Sequence, residues 1–563
     1  MPTFFEHAAA RIAQIHARRV YARFERALRD VAAEQARVLH RVLPLVAESD
    51  FGRRYGLGAI RSLADLRRAV PLQTYEDYRA TIDRVCDGDT QALFSPGQRL
   101  VMFATSSGTT AQPKRVPVTS AFVADYRRGW NTFGLKMLTD HPRAILRAIL
   151  QSSGRYDAGA TRSGVPYGAI TGLLARTQKR IVRRFYVGRP EIAALDSAEA
   201  RYYTLMRLGI VRDVAFAITA NPATLIQMAR TADEHAEALI RDVRDGTLST
   251  AIVSDTVVRS VRLVELRPQP ERARALERLC AQHGALRPRD YWQLDFLACW
   301  TGGSMGHYLQ RLADWWGPLP VRDVGLLASE GRVSIPLDDN TPAGVLDITS
   351  AVFEFIPAEH AEDTEPITVG PSEVEIGRDY AVVLTNTTGL LRYRLDDVVR
   401  VRGWLQQAPV VEFLYRCGRV ASVAGEKLTE NQVVAAVGAT CRALRISEFD
   451  FLLAPCWGDP PFYRLSAPRA PNASLAATLD ESLAQHNEEY ASRRKSLRLG
   501  PLQMRTVPPD AISAMDRHLT TARRTAAEQY KRPCLMTSPG DDDRLLAMPT
   551  SAAPPIGGQP AAK

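Results

Sequence analysis

Apolar positions at helical spacing dominate the first 95 residues of the chain. In residues 1–28 they alternate with arginines and recur every three or four positions, which predicts an amphipathic helix. This stretch lacks the uninterrupted apolar run and the small-residue cleavage site of a signal peptide. We therefore expect a helix that docks on the body of the protein, and association with a membrane surface is the alternative.

The pattern changes between residues 96 and about 415. Short apolar runs such as 352–356 and 381–385 predict strands, and they are interspersed with amphipathic helices such as 197–208. This alternation predicts a large α/β domain over residues 1–415, in which strands form the core and helices cover it.

A second, smaller domain of α+β character is predicted over residues 416–536. Helical spacing is evident at 431–443 and 474–494, and residues 449–453 have a strand-like pattern. The Pro-rich stretch 454–472 between them is interpreted as an internal loop. The composition after about residue 537 is typical of disorder, so residues 537–563 are predicted to form a disordered tail.

Composition and charge limit the partners and the cellular location that can be expected. The net charge is +10, but the arginines are dispersed and no nucleic-acid-binding motif is visible, so no nucleic acid partner is expected. The seven cysteines are scattered without any C-x-x-C pair, which predicts a reducing, cytoplasmic location and neither zinc nor disulfides. No run of 18 apolar residues is present, so no membrane span is expected. The oligomeric state is not readable.

The chain uses lysine sparingly. Only seven of its 72 basic residues are lysines. Three of these, Lys114, Lys427 and Lys531, lie in motif-like segments. A compact, flexible point charge is therefore indicated at those positions.

A loop rich in hydroxyl groups follows a strand-like run at residues 99–104. Gly108 allows the backbone to turn, so that N–H and O–H donors can converge on an anion, and Lys114 can close over the charge. The loop is not a Walker A motif, since no G-x-x-x-x-G-K-[ST] occurs in the chain. A phosphate-binding loop is predicted, with these residues holding the β/γ end of a nucleotide: Ser106, Ser107, Gly108, Thr109, Thr110 and Lys114.

The loop resembles the hallmark Ser/Thr-Ser-Gly-Thr-Thr-Gly-x-Pro-Lys-Gly of the adenylate-forming (firefly luciferase-like) superfamily, with Ala111 and Arg115 in place of two glycines. Other segments resemble, in order, those of one subfamily, the Gretchen-Hagen (auxin-responsive promoter) acyl acid amido synthetases. The matching segments cover nearly the whole chain; they are ESDFGRRYG at 48–56, VPLQTYEDY at 70–78, TGGSMGHY at 301–308, ASEG at 328–331, GLLRYRLDDVVR at 389–400 and EQYKRP at 528–533.

This resemblance implies a ligase that uses ATP and Mg²⁺ to activate a carboxylic acid as an acyl adenylate and then transfers the acyl group to the amine of an amino acid. Glu330, after Ser329, would bind the metal, because Mg²⁺ prefers oxygen ligands. Asp397 would accept hydrogen bonds from the two ribose hydroxyls, near Arg416. Asp396 stands where the family has Gly, so the two aspartates could instead form a solvated turn.

Two lysines of the predicted C-terminal domain receive catalytic roles from the same resemblance. Lys427 would meet the α-phosphate region, and Lys531 would stabilise the charge that develops between carboxylate and α-phosphate. The family's C-terminal domain is mobile, so its rotation could withdraw Lys531 after adenylation and admit the amine.

Two departures concern the substrates. Leu326 and Leu327 stand near the position where the family places a Tyr against adenine, so an aliphatic wall would have to serve there. The acid is not identified by the sequence. Aromatic residues that could line its pocket or pack in the core are Tyr126, Trp130, Phe133, Tyr156 and Tyr167.

Alternative functions are also open. A coenzyme A ligase would share the adenylation step and differ only in the acceptor. Residues 302–306 also satisfy G-x-S-x-G between an apolar run and a helical pattern, as in a serine hydrolase with Ser304 as its nucleophile.

Overall fold

The computed structural model describes residues 4–106, 114–195, 197–253, 266–302, 305, 309–361, 363, 365–416, 420–424, 426–447, 449–468, 473–522 and 532–544. The described residues form two compact units, one up to Leu414 and one from Tyr415 onward.

Helices of the first unit are frequent before residue 90 and again between residues 120 and 316. Their bounds are α1 Phe4–Ala27, α2 Val31–Val46, α3 Asp50–Arg54, α4 Leu63–Ala69, α5 Tyr75–Cys86, α6 Ser120–Asp140, α7 Ile170–Arg176, α8 Arg180–Arg183, α9 Pro190–Ala193, α10 Ala198–Gly209, α11 Pro222–Glu234, α12 Ala236–Asp245, α13 Pro270–His283, α14 Pro288–Tyr291 and α15 Leu309–Trp316.

The strands of this unit begin at residue 100. They are β1 Leu100–Ser106, β2 Lys114–Thr119, β3 Ala148–Gln151, β4 Gly159–Ala160, β5 Pro166–Gly168, β6 Val214–Ile218, β7 Phe296–Ala298, β8 Val321–Arg322, β9 Leu327–Ala328, β10 Gly331–Arg332, β11 Ser334–Ile335, β12 Ala343–Leu346, β13 Ala351–Pro357, β14 Asp379–Asn386, β15 Tyr393–Leu405 and β16 Ala408–Arg416.

These strands form three larger sheets and a hairpin. One sheet has the order β2-β1-β5-β4, a parallel one has the order β3-β6-β7-β8, and a six-stranded one has the order β11-β12-β16-β15-β14-β13. Strand β6 is buried along its whole length, as a parallel strand covered on both faces should be. β9 and β10 pair separately as a hairpin. The predicted α/β class is confirmed.

The N-terminal helix behaves as the docking prediction requires. α1 packs against α6, and Ala17, Phe24 and Leu28 are buried. None of the described helices is long and apolar enough to cross a membrane.

The second unit has helices and strands of its own. They are β17 Val420–Ala421, β18 Leu428–Thr429, α16 Glu430–Leu444, β19 Leu452–Cys456, β20 Phe462–Ala467, α17 Ala473–His486, α18 Glu488–Lys495, β21 Gln503–Thr506 and α19 Ala511–Ala522. Its core forms around a three-stranded sheet of order β19-β20-β21.

Two expectations for this unit were wrong. The Pro-rich stretch 454–472 is not a loop, because β20 lies within it and pairs with both β19 and β21. The disordered tail does not begin at residue 537, because Asp542 is fully buried and its carboxylate pairs with the guanidinium of Arg464 at 2.5 Å. Residues 545–563 lie outside the described residues.

Candidate active site

Strands β1 and β2 hold the two ends of the predicted phosphate loop. They pair antiparallel, with Ser106 opposite Lys114. The loop between them, with Ser107, Gly108, Thr109 and Thr110, lies outside the described residues, as does the side chain of Ser106. The hairpin nevertheless fixes where the loop leaves and re-enters the sheet.

Lys114 lies over an aromatic ring at the start of β2. Its Nζ is 5.5 Å from the ring centroid of Tyr75, a favourable cation–π position. The Tyr75 hydroxyl accepts a 2.8 Å hydrogen bond from the backbone N–H of Arg115, and burial raises the pKa of Tyr75, so its ring stays neutral. Arg115, which replaces a family glycine, lies 5.0 Å from the ring of Tyr167. The side chain of Arg115 is therefore accommodated by a cation–π contact with Tyr167.

Ser329 and Glu330 form the turn of the β9–β10 hairpin, since Ala328 pairs with Gly331. The Ser329 hydroxyl donates a 3.2 Å hydrogen bond to the carbonyl of Thr105, the penultimate residue of β1. This contact places the hairpin turn beside the start of the predicted phosphate loop, although the two segments are more than 200 residues apart in the chain.

Glu330 is a buried carboxylate, with 3% of its surface exposed. Its Oε1 accepts a 3.1 Å hydrogen bond from the hydroxyl of Tyr393, and its carbonyl accepts one of 2.6 Å from the Asn386 amide. No ion pair among the described residues includes Glu330. Buried carboxylates are usually paired with a cation or a metal, and Glu330 could supply one oxygen ligand to a divalent metal ion.

The strand that carries Tyr393 is braced from the N-terminal region. Gln73 donates a backbone hydrogen bond to Arg392 and accepts one from Arg394, at 2.9 and 2.8 Å. Tyr393 lies between these two residues, so its hydroxyl is held toward Glu330. The motif at 70–78 resembles the family but gave no sign of this bracing role.

Two further contacts fix the turn just before Tyr393. The Tyr78 hydroxyl donates to the carbonyl and accepts from the N–H of Leu391, at 3.0 and 2.8 Å. Arg392, which has a left-handed φ of 46°, forms a buried ion pair with Glu354 at 3.1 Å. The backbone that leads into β15 is therefore tied at both residues.

Asp397 lies in a bulge of β15. Arg394 pairs with Val383 and Val398 with Ala381, so three residues of β15 lie opposite a single residue of β14. Asp396 adopts a left-handed φ of 62° inside the bulge, and Asp397 is only 3% exposed. Such bulges redirect side chains near active sites. The alternative of a solvated turn is therefore wrong.

The loop that begins at Thr301 is held by a carboxylate that the sequence did not reveal. Asp323 accepts from the N–H and hydroxyl of Thr301 and from the N–H of Gly325, at 2.6, 2.7 and 2.6 Å. Burial raises the pKa of Asp323 to about 6, although these hydrogen bonds oppose the shift. Ser304, the alternative nucleophile, lies outside the described residues.

Arg332 connects the Glu330 hairpin to α6. Its guanidinium donates to the carbonyls of Val324 and Ser334 at 3.0 and 3.1 Å and lies 4.6 Å from the ring of Trp130. Burial lowers its pKa to about 10, so it stays charged at neutral pH. Trp130 is therefore fixed from the side of the hairpin.

A pocket of about 130 Å³ lies between α6, α7, β3 and β6. Apolar side chains form much of its wall, and Trp130 and Phe133 are the two predicted aromatic residues that line it. Its other large apolar lining residues are Met137, Ile149, Leu174, Tyr186, Phe216 and Ile218.

The remaining predicted aromatic residues have other contacts. Tyr126 is buried in the core, Tyr156 lies under Arg176, and Tyr167 lies under Arg115.

The two leucines near the expected adenine position are not equivalent. Leu326 is 5% exposed and belongs to the core, whereas Leu327 is half-buried in β9. Only Leu327 is exposed enough to offer an aliphatic surface to a base.

In the second unit, Lys427 is exposed on a short segment before β18. The segment is held by the fully buried Glu426, which accepts from the N–H groups of Val423 and Ala424 at 2.8 and 2.9 Å and from the Tyr463 hydroxyl at 2.5 Å. The N–H of Lys427 donates to Glu489 at 2.9 Å. The backbone is thus fixed, and the side chain extends toward solvent.

Two predicted site residues of the C-terminal region cannot be described fully. Arg416 ends β16, and its side chain lies outside the described residues, as does the whole of Lys531.

Solved structures with the same fold define the class of protein. A GH3.15 acyl acid amido synthetase superposes with a TM-score of 0.81 at 22% identity, covering 94% of this chain and 95% of that one. A second structure, AtGH3.15 acyl acid amido synthetase in complex with 2,4-DB, gives 0.83 over 95% of this chain and 96% of that one, also at 22% identity. A 2-hydroxyisobutyryl-CoA ligase in the postadenylation state gives 0.51 at 12% identity, covering 94% and 91%. The fold is that of the adenylate-forming enzymes.

Domain matches identify the family within that class. The GH3 family N-terminal domain matches residues 20–321, the central domain residues 344–416 and the C-terminal domain residues 431–540. The chain belongs to the GH3, or Gretchen-Hagen, family, and the membership predicted from the motifs is confirmed.

The chain is also similar to several plant proteins. The jasmonoyl–L-amino acid synthetase GH3.5 of Oryza sativa subsp. japonica is 27% identical, covering 91% of this chain and 93% of the relative. The probable indole-3-acetic acid-amido synthetase GH3.12 of the same organism is also 27% identical, covering 94% and 95%. The jasmonoyl–L-amino acid synthetase JAR4 of Nicotiana attenuata is 25% identical, covering 91% and 92%.

Proposed function

We propose that this protein is an ATP-dependent acid–amino acid ligase that makes an amide through an acyl adenylate. The observation that carries the proposal is the contact between Ser329 and Thr105, because it brings a buried, metal-suited carboxylate to the start of a phosphate-type loop. Such an arrangement suits the binding of a nucleotide polyphosphate. The family relationship and the amido synthetase names of the relatives support the same reaction.

In the first half-reaction, a carboxylate oxygen of the acid attacks the α-phosphorus of ATP, and pyrophosphate leaves. The loop 106–110 would bind the β- and γ-phosphates with its N–H and O–H donors. Lys114 would add a positive charge at the end of that loop. Glu330, oriented by Tyr393, would hold Mg²⁺, whose chemistry when bound is to neutralise charge on the phosphate oxygens.

The nucleoside end of ATP would lie near β15. Asp397 has two acceptor oxygens, which match the two donors of a ribose diol. The bulge at Asp396 supports this role, because a bulge changes the direction of the side chains that follow it in a strand, here that of Asp397 in β15. Arg416 is proposed to lie near the same sugar, and Leu327 to pack against the base.

In the second half-reaction, the amine of an amino acid attacks the acyl carbon, an amide bond forms, and AMP leaves with its bonding electron pair. Lys427 and Lys531 are the cations proposed for the α-phosphate. Lys531 would act in adenylation and Lys427 after it, if the second unit changes position between the two steps. The exposure of Lys427 supports a contact that forms for only part of the cycle.

The apolar pocket beside α6 is proposed to hold the acyl part of the acid. A cavity of about 150 Å³ accommodates benzene in an engineered protein, and this pocket has about 130 Å³. We therefore expect an acid with a single ring or a short branched chain, packed against Trp130 and Phe133.

The test is pyrophosphate release from ATP and Mg²⁺ across a panel of aromatic, indole, aliphatic and fatty acids. Release that needs one class of acid, with amide detected by mass spectrometry only when amino acids are added, would support both half-reactions. Coenzyme A is added in a parallel series, and a thioester in place of an amide would identify a coenzyme A ligase instead. Absence of acid-dependent pyrophosphate release with every acid would refute adenylation by this chain.

A further inference from the structure

The chain segment that contains α8 is rich in basic residues and lacks acidic ones. Between Asp157 and Glu191 the chain has seven arginines and lysines and no Asp or Glu. Five of these cations cluster on and beside α8, and all five are exposed. We call this cluster, together with the two aliphatic residues Ile181 and Val182, the α8 patch; its cations are Arg176, Lys179, Arg180, Arg183 and Arg184.

The cations of the α8 patch are not neutralised by described carboxylates. Among the described residues, none of the five forms an ion pair, whereas the exposed Arg53 pairs with Asp50 at 2.6 Å. Their contacts are to neutral groups. Arg183 donates to the carbonyl of Arg176 at 2.7 Å, and the guanidinium of Arg176 lies 4.9 Å from the ring of Tyr156. The patch therefore presents uncompensated positive charge to solvent.

Two aliphatic side chains protrude from the centre of the same patch. Ile181 is 65% exposed and Val182 is 37% exposed. Cations lie on both sides of them in the sequence, with Arg180 before and Arg183 after. Exposed aliphatic groups surrounded by Arg and Lys are typical of surfaces that insert shallowly into a lipid interface. An acidic protein would satisfy the cations, but a bilayer satisfies both the cations and the aliphatic side chains.

The α8 patch also adjoins the apolar pocket. Arg183 of the patch lines the pocket, and so do Gln178 and Tyr186, which are near the patch in the sequence. An apolar acid dissolved in a bilayer would meet the pocket there without crossing bulk water. The idea that the acid enters the pocket from a bilayer rests on the proposed function, whereas membrane binding by the α8 patch does not.

We propose that the α8 patch docks this protein on anionic phospholipid bilayers, with Ile181 and Val182 entering the interface and the surrounding cations contacting lipid phosphates. The interaction is peripheral and reversible, since it depends on a few side chains and no described helix spans a membrane. It is also sensitive to salt, because the cations are exposed.

The test is sedimentation of the purified full-length protein with vesicles of phosphatidylcholine alone and of phosphatidylcholine mixed with phosphatidylglycerol. We expect binding to the mixed vesicles only. Each exposed cation near an anionic surface is worth about fivefold in partitioning, so Arg180→Gln combined with Arg184→Gln should weaken binding by roughly 25-fold. The control, Arg37→Gln combined with Arg68→Gln, removes the same charge from other exposed positions and should have little effect.

Ile181→Ser tests the apolar part of the proposal, and we expect it to weaken vesicle binding by roughly tenfold. Ile367→Ser is the matched control, since Ile367 is 82% exposed elsewhere on the first unit. Thermal melting checks that each variant is folded.

Three results would overturn the proposal. The first is absence of binding to the mixed vesicles, and the second is an equal loss in the Arg37 and Arg68 control. The third combines two results. Ile181→Ser leaves vesicle binding unchanged, and in a second assay the wild type binds polyglutamate while the variant with Arg180→Gln and Arg184→Gln does not. That combination would identify a site for an acidic protein. All these readouts are independent of catalysis, so they stand apart from a failure of the proposed reaction.

Discussion

The acids of the first unit and the lysine of the second are held in opposite ways. Glu330 and Asp397 are each 3% exposed and lie in a hairpin turn and a strand bulge that neighbouring segments fix. Lys427 is exposed, and its backbone N–H donates to Glu489 beside the segment that Glu426 holds. A charge that must hold a ligand throughout the reaction gains from a rigid, buried position. A charge that acts in only one step does not need it.

Support for the buried acids comes from distant parts of the chain. Gln73 holds the strand that carries Tyr393. Asp323 binds Thr301 through two hydrogen bonds and the N–H of Gly325 through a third. In the second unit, Glu426 accepts hydrogen bonds from the backbone of the segment before Lys427, whose side chain is exposed. The comparison therefore predicts that changes to the supporting residues of the first unit lower stability, while Lys427 affects activity alone.

The largest expected effect is that of Glu330→Gln. The amide keeps the shape and can still accept from Tyr393, but it loses the charge that suits the metal. We expect acid-dependent pyrophosphate release to fall by roughly 10³-fold, with the free energy of unfolding in urea within about 1 kcal/mol of the wild type.

Tyr393→Phe is the control for orientation, because it leaves the charge of Glu330 intact. It should lower activity much less than Glu330→Gln, by roughly tenfold. If Glu330→Gln kept wild-type activity, the metal role would be refuted, and the buried carboxylate would be a structural group.

The next largest effect concerns the rigidity of the turn after Asp323. Gly325 has a φ of 86°, and a Cβ there would lie 2.3 Å from the carbonyl oxygen of Ser334. Gly377 has the same φ, with nothing within 4 Å of its Cβ position. Gly325→Ala should therefore destabilise by roughly 3 to 5 kcal/mol and Gly377→Ala by about 1 to 2 kcal/mol in urea unfolding. Equal losses would mean that the turn can relax.

Asp323 gives a pH-dependent test of the same support. Its pKa is about 6 in the folded protein, against an ordinary value of 3.8. Between these two pH values the folded protein holds the proton and the unfolded chain has released it, so rising pH favours unfolding. The wild type should lose about 2 kcal/mol of stability relative to Asp323→Asn between pH 4 and 6, measured by urea unfolding at each pH. A constant difference would show that Asp323 does not titrate in this range.

Much of the site could be predicted because its residues lie in contiguous motifs. The segments around Lys114, Glu330, Asp397 and Lys427 resemble the family over short runs, and local alternation identified β13, β14 and the strand leading into the loop. Short strands were harder to predict from the sequence. β20 follows two prolines and β19 contains one, so the composition of 454–472 predicted a loop. β20 forms because it pairs with both β19 and β21, which local composition does not reveal.

The supports of the site were missed because they act between distant segments. Nothing local distinguishes Asp323 from a surface acid until its hydrogen bonds to Thr301 are seen. Arg332 is one of 65 arginines in the chain, and only its burial against Trp130 marks it. Gln73 acts through its backbone, which a side-chain motif does not reveal.

The smallest expected effect on stability is that of Lys427→Ala, because Lys427 is exposed. Lys427→Ala should leave the free energy of unfolding within about 0.5 kcal/mol of the wild type and lower the rate of amide formation by roughly 10- to 100-fold. Lys495→Ala removes another exposed lysine of the same unit and should change neither quantity. If Lys427→Ala slowed pyrophosphate release as much as amide formation, Lys427 would serve adenylation, as proposed for the buried acids. The proposal that Lys427 acts in only one step would then be wrong. If it destabilised the second unit, the side chain would be part of the loop support that we assign to Glu426.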